Sequence, residues 1–335
     1  MQYTFLICSE RSGSNLITSL MSGHPQFSGP PPTHMFRLFG LNSGHYLPFD
    51  HAARRRFLAD FHAARATILG DWNTSFSLEE LEGVCGQSQS MASAFDFMYR
   101  RECASEGASR AFVKENHTYR FVPFLLDHWP GARFVFQVRD PRDVAASWVK
   151  TSSVPGGVAK AVSVWCADQS ETLDLLCDPQ LSARTVQIRY EDLIQRPTEV
   201  LSGVCHNLGV DFDAGMLCAH QNPRTAKTAK QVDAWSNLGR PVMSGNSGNY
   251  GSVLTADDVL YIELKCATLM KRFGYTAQND VDSMGAEEQE RMLASLEERL
   301  SPGRSERPMS DDEVKRRERR LALISRIIEP PAVRS

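Results

Sequence analysis

The stretch Ile7-Cys8-Ser9-Glu10-Arg11-Ser12-Gly13-Ser14-Asn15 decides how this chain is read. An apolar run, residues 3–8, enters it and a helical pattern, residues 14–21, leaves it. Small side chains between the two let backbone N–H groups converge, and the start of the helix adds its partial positive charge. The turn is therefore built as an anion cradle, with Arg11 as its full cation and the hydroxyls of Ser12 and Ser14 as further donors. It is not a Walker A loop, because neither the first Gly nor the Lys of that pattern is present. Taken alone, a serine-capped helix after a strand explains the same residues equally well.

Outward from this turn the pattern repeats. Residues 111–114, 133–138 and 185–190 are short apolar runs rich in β-branched and aromatic residues. Helical patterns follow at 120–128, at 141–151 and, after a short turn, at 197–208. Strands alternating with helices predict an α/β fold: a central parallel sheet between two layers of helices. Residues 158–176 add a longer amphipathic helix. Segments 28–50, rich in Pro, Gly and His, and 237–252, rich in Gly, Asn and Ser, are the loops long enough to line a site. Residues 277–335 differ in character, with 24 of 59 charged. They carry helical patterns at 287–300 and 311–328, the second with Val314, Leu321 and Ile328 recurring at seven. Residues 1–276 are expected to form the main domain and 277–335 a charged helical C-terminal extension. That extension docks on the domain, forms a homodimer contact or stays solvated.

Composition narrows the function. The 335 residues hold 37 Lys plus Arg against 40 Asp plus Glu, a net charge of -3, so no basic excess exists for coating nucleic acid. A polyanionic ligand must be held by a few placed cations. No apolar run approaches the roughly 18 residues of a membrane span. Residues 1–9 lack the basic flank of a signal peptide and run into Glu10 and Arg11, which predicts a cytoplasmic protein with reduced thiols. The cysteines form no CxxC pair and the histidines no H-x-x-x-H, so no metal is expected. No G-x-S-x-G elbow is present.

A second motif breaks the tie left by the first. Phe134-Val135-Phe136-Gln137-Val138 runs into Arg139-Asp140-Pro141-Arg142-Asp143-Val144-Ala145-Ala146-Ser147. Arg139 stands at a strand end, Pro141 suits a first helical turn, and Ser147 lies about two turns on. With Ser12-Gly13-Ser14 and then His24-Pro25 upstream, the chain resembles the sulfotransferases that use 3′-phosphoadenosine 5′-phosphosulfate, over most of residues 3–275. The resemblance implies a P-loop-like three-layer fold whose first turn, Arg11 to Asn15, binds the 5′-phosphosulfate. It implies that Arg139 and Ser147 bind the 3′-phosphate, with adenosine 3′,5′-bisphosphate as the product.

Further residues carry the resemblance. Tyr190-Glu191-Asp192-Leu193 is similar to the family's Y-E-D-L, which would place Tyr190 against adenine; a core-edge aromatic beside a helix cap is the plain alternative. Met243 to Tyr250, including Ser244, Gly245 and Asn246, followed by Leu254-Thr255, is similar to the family's R-K-G-x-x-G-D-W loop. The Arg-Lys pair that meets the 3′-phosphate has become Met243-Ser244, and Arg240 lies three residues upstream. Lys114 matches the strand-end Lys near the sulfuryl group. Cytosolic members continue with Thr-His, whose His is the base. Here Glu115-Asn116-His117 displaces it by one, and in a strand that shift would turn His117 to the other face. His34, in Pro30-Pro31-Pro32-Thr33-His34-Met35-Phe36, stands where other members place a base. His34 is the first candidate for the base and His117 the second, against the plain reading of either as a packing histidine.

The resemblance implies in-line sulfuryl transfer to a hydroxyl or amine of a small-molecule or carbohydrate acceptor, with Arg11 and Lys114 meeting the charge on the leaving oxygen. Two other readings share the anion cradle: a P-loop-type kinase, and a non-catalytic module that binds adenosine 3′,5′-bisphosphate.

Overall fold

The computed structural model describes residues 1–68, 72–151, 154–222, 225, 237–304 and 311–328. Five strands form one parallel sheet in the order β2-β3-β1-β4-β5: β1 (Gln2–Cys8), β2 (Phe27–Ser28), β3 (Arg110–Lys114), β4 (Arg133–Val138) and β5 (Thr185–Arg189). Four of these are the expected runs; the two-residue β2, paired with the start of β3, is an addition. Alternate residues feed two cores, as the two-residue repeat of a strand requires. Tyr3, Phe5 and Ile7 of β1 point to one side with Phe134 and Phe136, whereas Leu6 and Cys8 point to the other with Phe112 and Val135. With both faces covered, the strands read as nearly continuous apolar runs.

The smaller face is covered by α1 (Ser14–Ser22) through Ile17, Leu20 and Met21, and by Leu201, Val204 and Cys205 of a helix spanning Pro197–Leu208. On the larger face lie α2 (Met35–Leu41), α3 (His51–Arg65), α4 (Leu78–Cys85), α5 (Ala92–Ser105), α6 (Val122–His128), α7 (Pro141–Lys150) and α8 (Gly157–Leu175). Around β5 the chain forms α9 (Pro179–Ser182), α10 (Tyr190–Gln195) and α11, the Pro197–Leu208 helix just described. The result is a three-layer α/β fold. Segment 28–50 is not one open loop: after Thr33 it turns into α2 and then a 3-10 turn, Ser43–Tyr46, whose Phe36, Phe39 and Tyr46 are fully buried.

The beginning of α7 is fastened by a buried ion cluster. Asp140 caps the helix and grips the Arg142 guanidinium at 2.7 and 3.0 Å, while the other arm of Arg142 meets Glu263 at 2.7 Å. Glu263 belongs to α12 (Ala256–Arg272), which starts on the Thr255 capping box. Removing the cation would strand two buried carboxylates, so Arg142→Ala is expected to cost about 3–5 kcal/mol of unfolding free energy in a urea titration. A change below about 1 kcal/mol, the value of an exposed pair, would contradict this.

The tail returns to the body. Helix α13 (Ala286–Glu297) packs on α12 and buries Leu296, and Ser301 bonds Asp258 through its N–H at 2.8 Å and its hydroxyl at 2.6 Å. A Cβ on Gly157, whose φ is +59°, would come within 2.4 Å of the Ser301 carbonyl, so only glycine lets the two backbones meet. Helix α14 (Asp311–Ile328) packs on α3 and buries Leu323 and Ile327. The seven-residue stripe lies elsewhere: Leu321 and Ile328 are exposed. The buried face follows 320, 323, 324 and 327, a wider stripe that a strict seven-residue spacing does not track.

Candidate functional site

In a parallel sheet all carboxyl ends lie on one edge, and β1 sits between β3 and β4, where the order of connection reverses. A crevice opens at such a point. Polar residues gather there: the cations Arg11, after β1, Lys114, at the end of β3, and Arg139, after β4, and the aromatic Tyr190, after β5. They line a cavity of about 640 Å³ together with Gly13, Ser14, Asn15, Ser147 and Asn246.

The lining residues hold one another. Arg11, at φ +65°, donates from Nε to Ser147 Oγ at 3.1 Å. Arg139 donates to the Arg11 carbonyl at 3.2 Å and the Asn246 carbonyl at 3.1 Å, and its guanidinium lies 4.3 Å from the centre of the Tyr190 ring. Asn246 donates to the Tyr190 hydroxyl at 2.7 Å. Gly13 explains its own identity: at φ +85°, a Cβ there would strike the Tyr190 ring at 2.4 Å. Two buried polar atoms in this cluster, Ser12 Oγ and Arg139 Nε, have no protein partner. Burial pushes the Arg11 guanidinium and the Lys114 ammonium below their ordinary values, and Arg139 acts on Arg11 in the same direction. Bringing such cations together out of water is unfavourable until an anion arrives.

Some expected residues stand apart. Ser12 is fully buried beneath the turn, its carbonyl accepting from the Gln137 amide, and does not line the cavity. Ser244 and Gly245 are exposed on the rim, where their carbonyls accept from Gln195 at 2.8 Å and Asn249 at 2.6 Å. Arg240 is exposed over a separate small hollow. The cavity also receives Glu10, Asn116, Asp143 and Lys150, which sequence reasoning did not select. Asn116 donates to Glu10 at 2.6 Å, and Asp143 accepts the Gly248 N–H at 2.7 Å, which ties α7 to the glycine-rich loop. Lys150 stands three residues after Ser147, a spacing that shares a helix face and was available in the sequence.

The two candidate bases both face carboxylates. His34, at φ +55°, follows the three prolines, and those prolines line a hollow of about 40 Å³ shared with Asn15 and Lys114. Its Nδ1 is buried, 3.7 Å from Glu115 Oε2, while 28% of the side chain remains open. His117 does not sit in a strand, because β3 ends at Lys114, so the alternation argument does not reach it. Its Nδ1 meets Asp168 of α8 at 3.2 Å.

Burial, with the charges of Lys114, Arg320 and Arg37, pushes the His34 imidazole down to about 3. Burial pushes the Glu115 carboxyl up to about 7, against the bond it accepts from Thr33. The two have opposite linkage. Glu115, raised above 4.5, adds stability below that pH which is lost as pH rises through about 7. His34, lowered below 6.5, adds stability above that pH which is lost as pH falls through about 3. Between 4.5 and 6.5 the slopes oppose. Glu115→Gln is therefore expected to make unfolding free energy rise more steeply with pH across that window in urea titrations. A slope no steeper than wild type would contradict it.

A sequence model described as "Sulfotransferase family" matches residues 4–214, which hold the whole sheet apart from the first two residues of β1. The chain belongs to the sulfotransferase family. It is similar to nodulation protein NoeE of Sinorhizobium fredii (strain NBRC 101917 / NGR234), with 26% identity over 236 residues, 64% of this chain and 51% of that protein. The chain thus spans about half the length of that curated relative. Its fold is similar to the sulfotransferase domain of the Synechococcus PCC 7002 olefin synthase, with a TM-score of 0.53 and 21% identity over 82% of this chain and 95% of that one. The sulfotransferase domain from the curacin biosynthetic pathway gives a TM-score of 0.50 and 20% identity over 82% and 97% of the two chains. Among the described residues no helix is long and apolar enough to cross a membrane, and no group of His, Cys, Asp and Glu is arranged to hold a metal ion.

Proposed function

We propose that this sulfotransferase moves a sulfuryl group from 3′-phosphoadenosine 5′-phosphosulfate to a hydroxyl or amine of a small-molecule or carbohydrate acceptor. The observation that carries the reading is the cluster at the strand ends: four cationic donors, Arg11, Lys114, Arg139 and Lys150, line one cavity. A doubly charged terminal phosphate and a phosphosulfate satisfy such donors. Arg11 and the amides from Ser12 to Asn15 would take the phosphosulfate, and Arg139 with Ser147 the 3′-phosphate. Lys150, on the same face of α7, supplies a cation where the Arg-Lys pair has become Met243-Ser244. Tyr190 would stack on the base.

The bond between sulfur and the 5′-phosphate oxygen breaks as the bond from sulfur to the acceptor forms. The acceptor proton passes to a base, and the bisphosphate leaves with the negative charge. Lys114 meets that charge at the strand end, where fixed charges act without reorganisation. His34 is the proposed base, with its Nδ1 toward Glu115 and the rest of the ring partly open. A free imidazole pushed down to about 3 is a weak base. The negative charge of the bound donor offsets Lys114 and raises it. The 3.2 Å bond to Asp168 favours His117 as the second candidate, because a carboxylate on Nδ1 leaves Nε2 as the acceptor.

The nucleotide part of this reading is tested by calorimetry. Adenosine 3′,5′-bisphosphate is expected to bind far more tightly than ADP or ATP, and Arg139→Ala to weaken it. A preference for ATP would move the reading to a kinase.

A further inference from the structure

Arg320 belongs to α14, beyond the residues that the family model matches. Its helix is seated on α3 by Leu323 and Ile327 and by the pairing of Arg326 with Asp60. From that seat Arg320 reaches inward. One guanidinium nitrogen donates to the backbone carbonyl of His34 at 3.0 Å, and another donates to Thr67 Oγ1 at 3.2 Å. Thr67 in turn donates to the Ala64 carbonyl at 2.8 Å, so the fork spans from the last turn of α3 to the His34 loop.

The bond falls where the backbone needs holding. His34 sits in the left-handed region at φ +55°, a conformation strained for a non-glycine residue and kept only where the surroundings hold it. Its carbonyl also accepts the Leu38 N–H at 3.0 Å, which starts α2. The charged groups facing the ring come from three places: Lys114, Glu115 and His117 at and beyond the end of β3, Arg37 on α2, and Arg320 on α14. Arg320 is thus the contribution of the tail to this cluster.

We infer that Arg320 is a positioning residue: it fixes the His34 backbone, so that the C-terminal helix forms part of the acceptor side of the site. The inference rests on the proposed role of His34 as base.

The test uses the full chain with Arg320→Ala, Arg320→Lys and Leu323→Ala, the last loosening the helix while keeping the guanidinium. For each, kcat, donor affinity, Tm and the ring resonances of isotopically labelled histidines are measured. Arg320→Ala is expected to lower kcat by about 10–100-fold, the scale of a misplaced reacting group, with donor affinity unchanged. The His34 resonance should move and the His117 resonance should not. Arg320→Lys should regain part of the rate, since an ammonium supplies donors without the planar fork. Leu323→Ala should lower Tm more and kcat less. Wild-type kcat in Arg320→Ala would overturn the inference, as would losses of rate that track Tm across the variants with the His34 resonance unmoved. If the wild-type protein transfers no sulfuryl group, the proposed function fails, and the resonances decide the positioning by themselves: a moved His34 signal supports it and an unmoved one overturns it.

Discussion

His34→Ala is expected to slow sulfuryl transfer by about 10²–10⁴-fold, the range for loss of a general base, while adenosine 3′,5′-bisphosphate binds as before. The separation follows from placement. His34 follows the three prolines and lines neither the large cavity nor the hollow under those prolines, whereas the residues proposed to hold nucleotide lie on the turn after β1, on α7 and after β5. Rate and binding should therefore part company in this variant. Wild-type turnover would move the base to His117, whose bond to Asp168 gives it the second claim. His117→Ala and Asp168→Asn would then carry the large loss.

Lys114→Ala is expected to lower kcat by about 10²–10³-fold, comparable to deleting one preorganised donor for developing charge. Lys114 ends β3, beside β1, and lines both the large cavity and the triproline hollow. Lys114 thus borders both spaces. Burial keeps its ammonium below the ordinary value, with Cys8, Glu10 and Glu115 opposing that shift. A cation held out of water at this strand end is expected to act on the leaving oxygen as charge develops there, so the effect should fall on kcat more than on donor affinity. An unchanged kcat would remove Lys114 from the chemistry.

The parts of this architecture legible in the sequence are those fixed by neighbours in the chain. Apolar runs of four to six residues, the small-residue turn around Gly13 and proline in the first turn of α7 are local signals, and the sheet follows from them. Helices α3 to α5 were equally local and went unread. Asp50 caps α3 on the Ala53 N–H, Ser77 and Glu80 form a capping box for α4, and Phe57, Phe61 and Ala64 repeat at helical spacing. The residues around the candidate bases are a different case. Asp168 lies 51 residues from His117, and Arg320 lies 286 residues from His34. No short-range pattern encodes either meeting; the packing of α8 and α14 creates them. The charged tail, which composition alone set apart from the chemistry, reaches the His34 carbonyl by the same route.

The cavity at the strand ends is proposed to hold a sulfuryl donor and to pass its SO3 group on. The direct measurement is transfer of radiolabelled sulfur from 3′-phosphoadenosine 5′-phosphosulfate into an extract of host metabolites, with mass spectrometry of the labelled product. An acceptor heavier by one SO3 unit is expected, formed in step with adenosine 3′,5′-bisphosphate and abolished in a Lys114→Ala, His34→Ala double variant. Tight binding of the bisphosphate with no labelled product from any extract would contradict it and leave a nucleotide-binding module in its place.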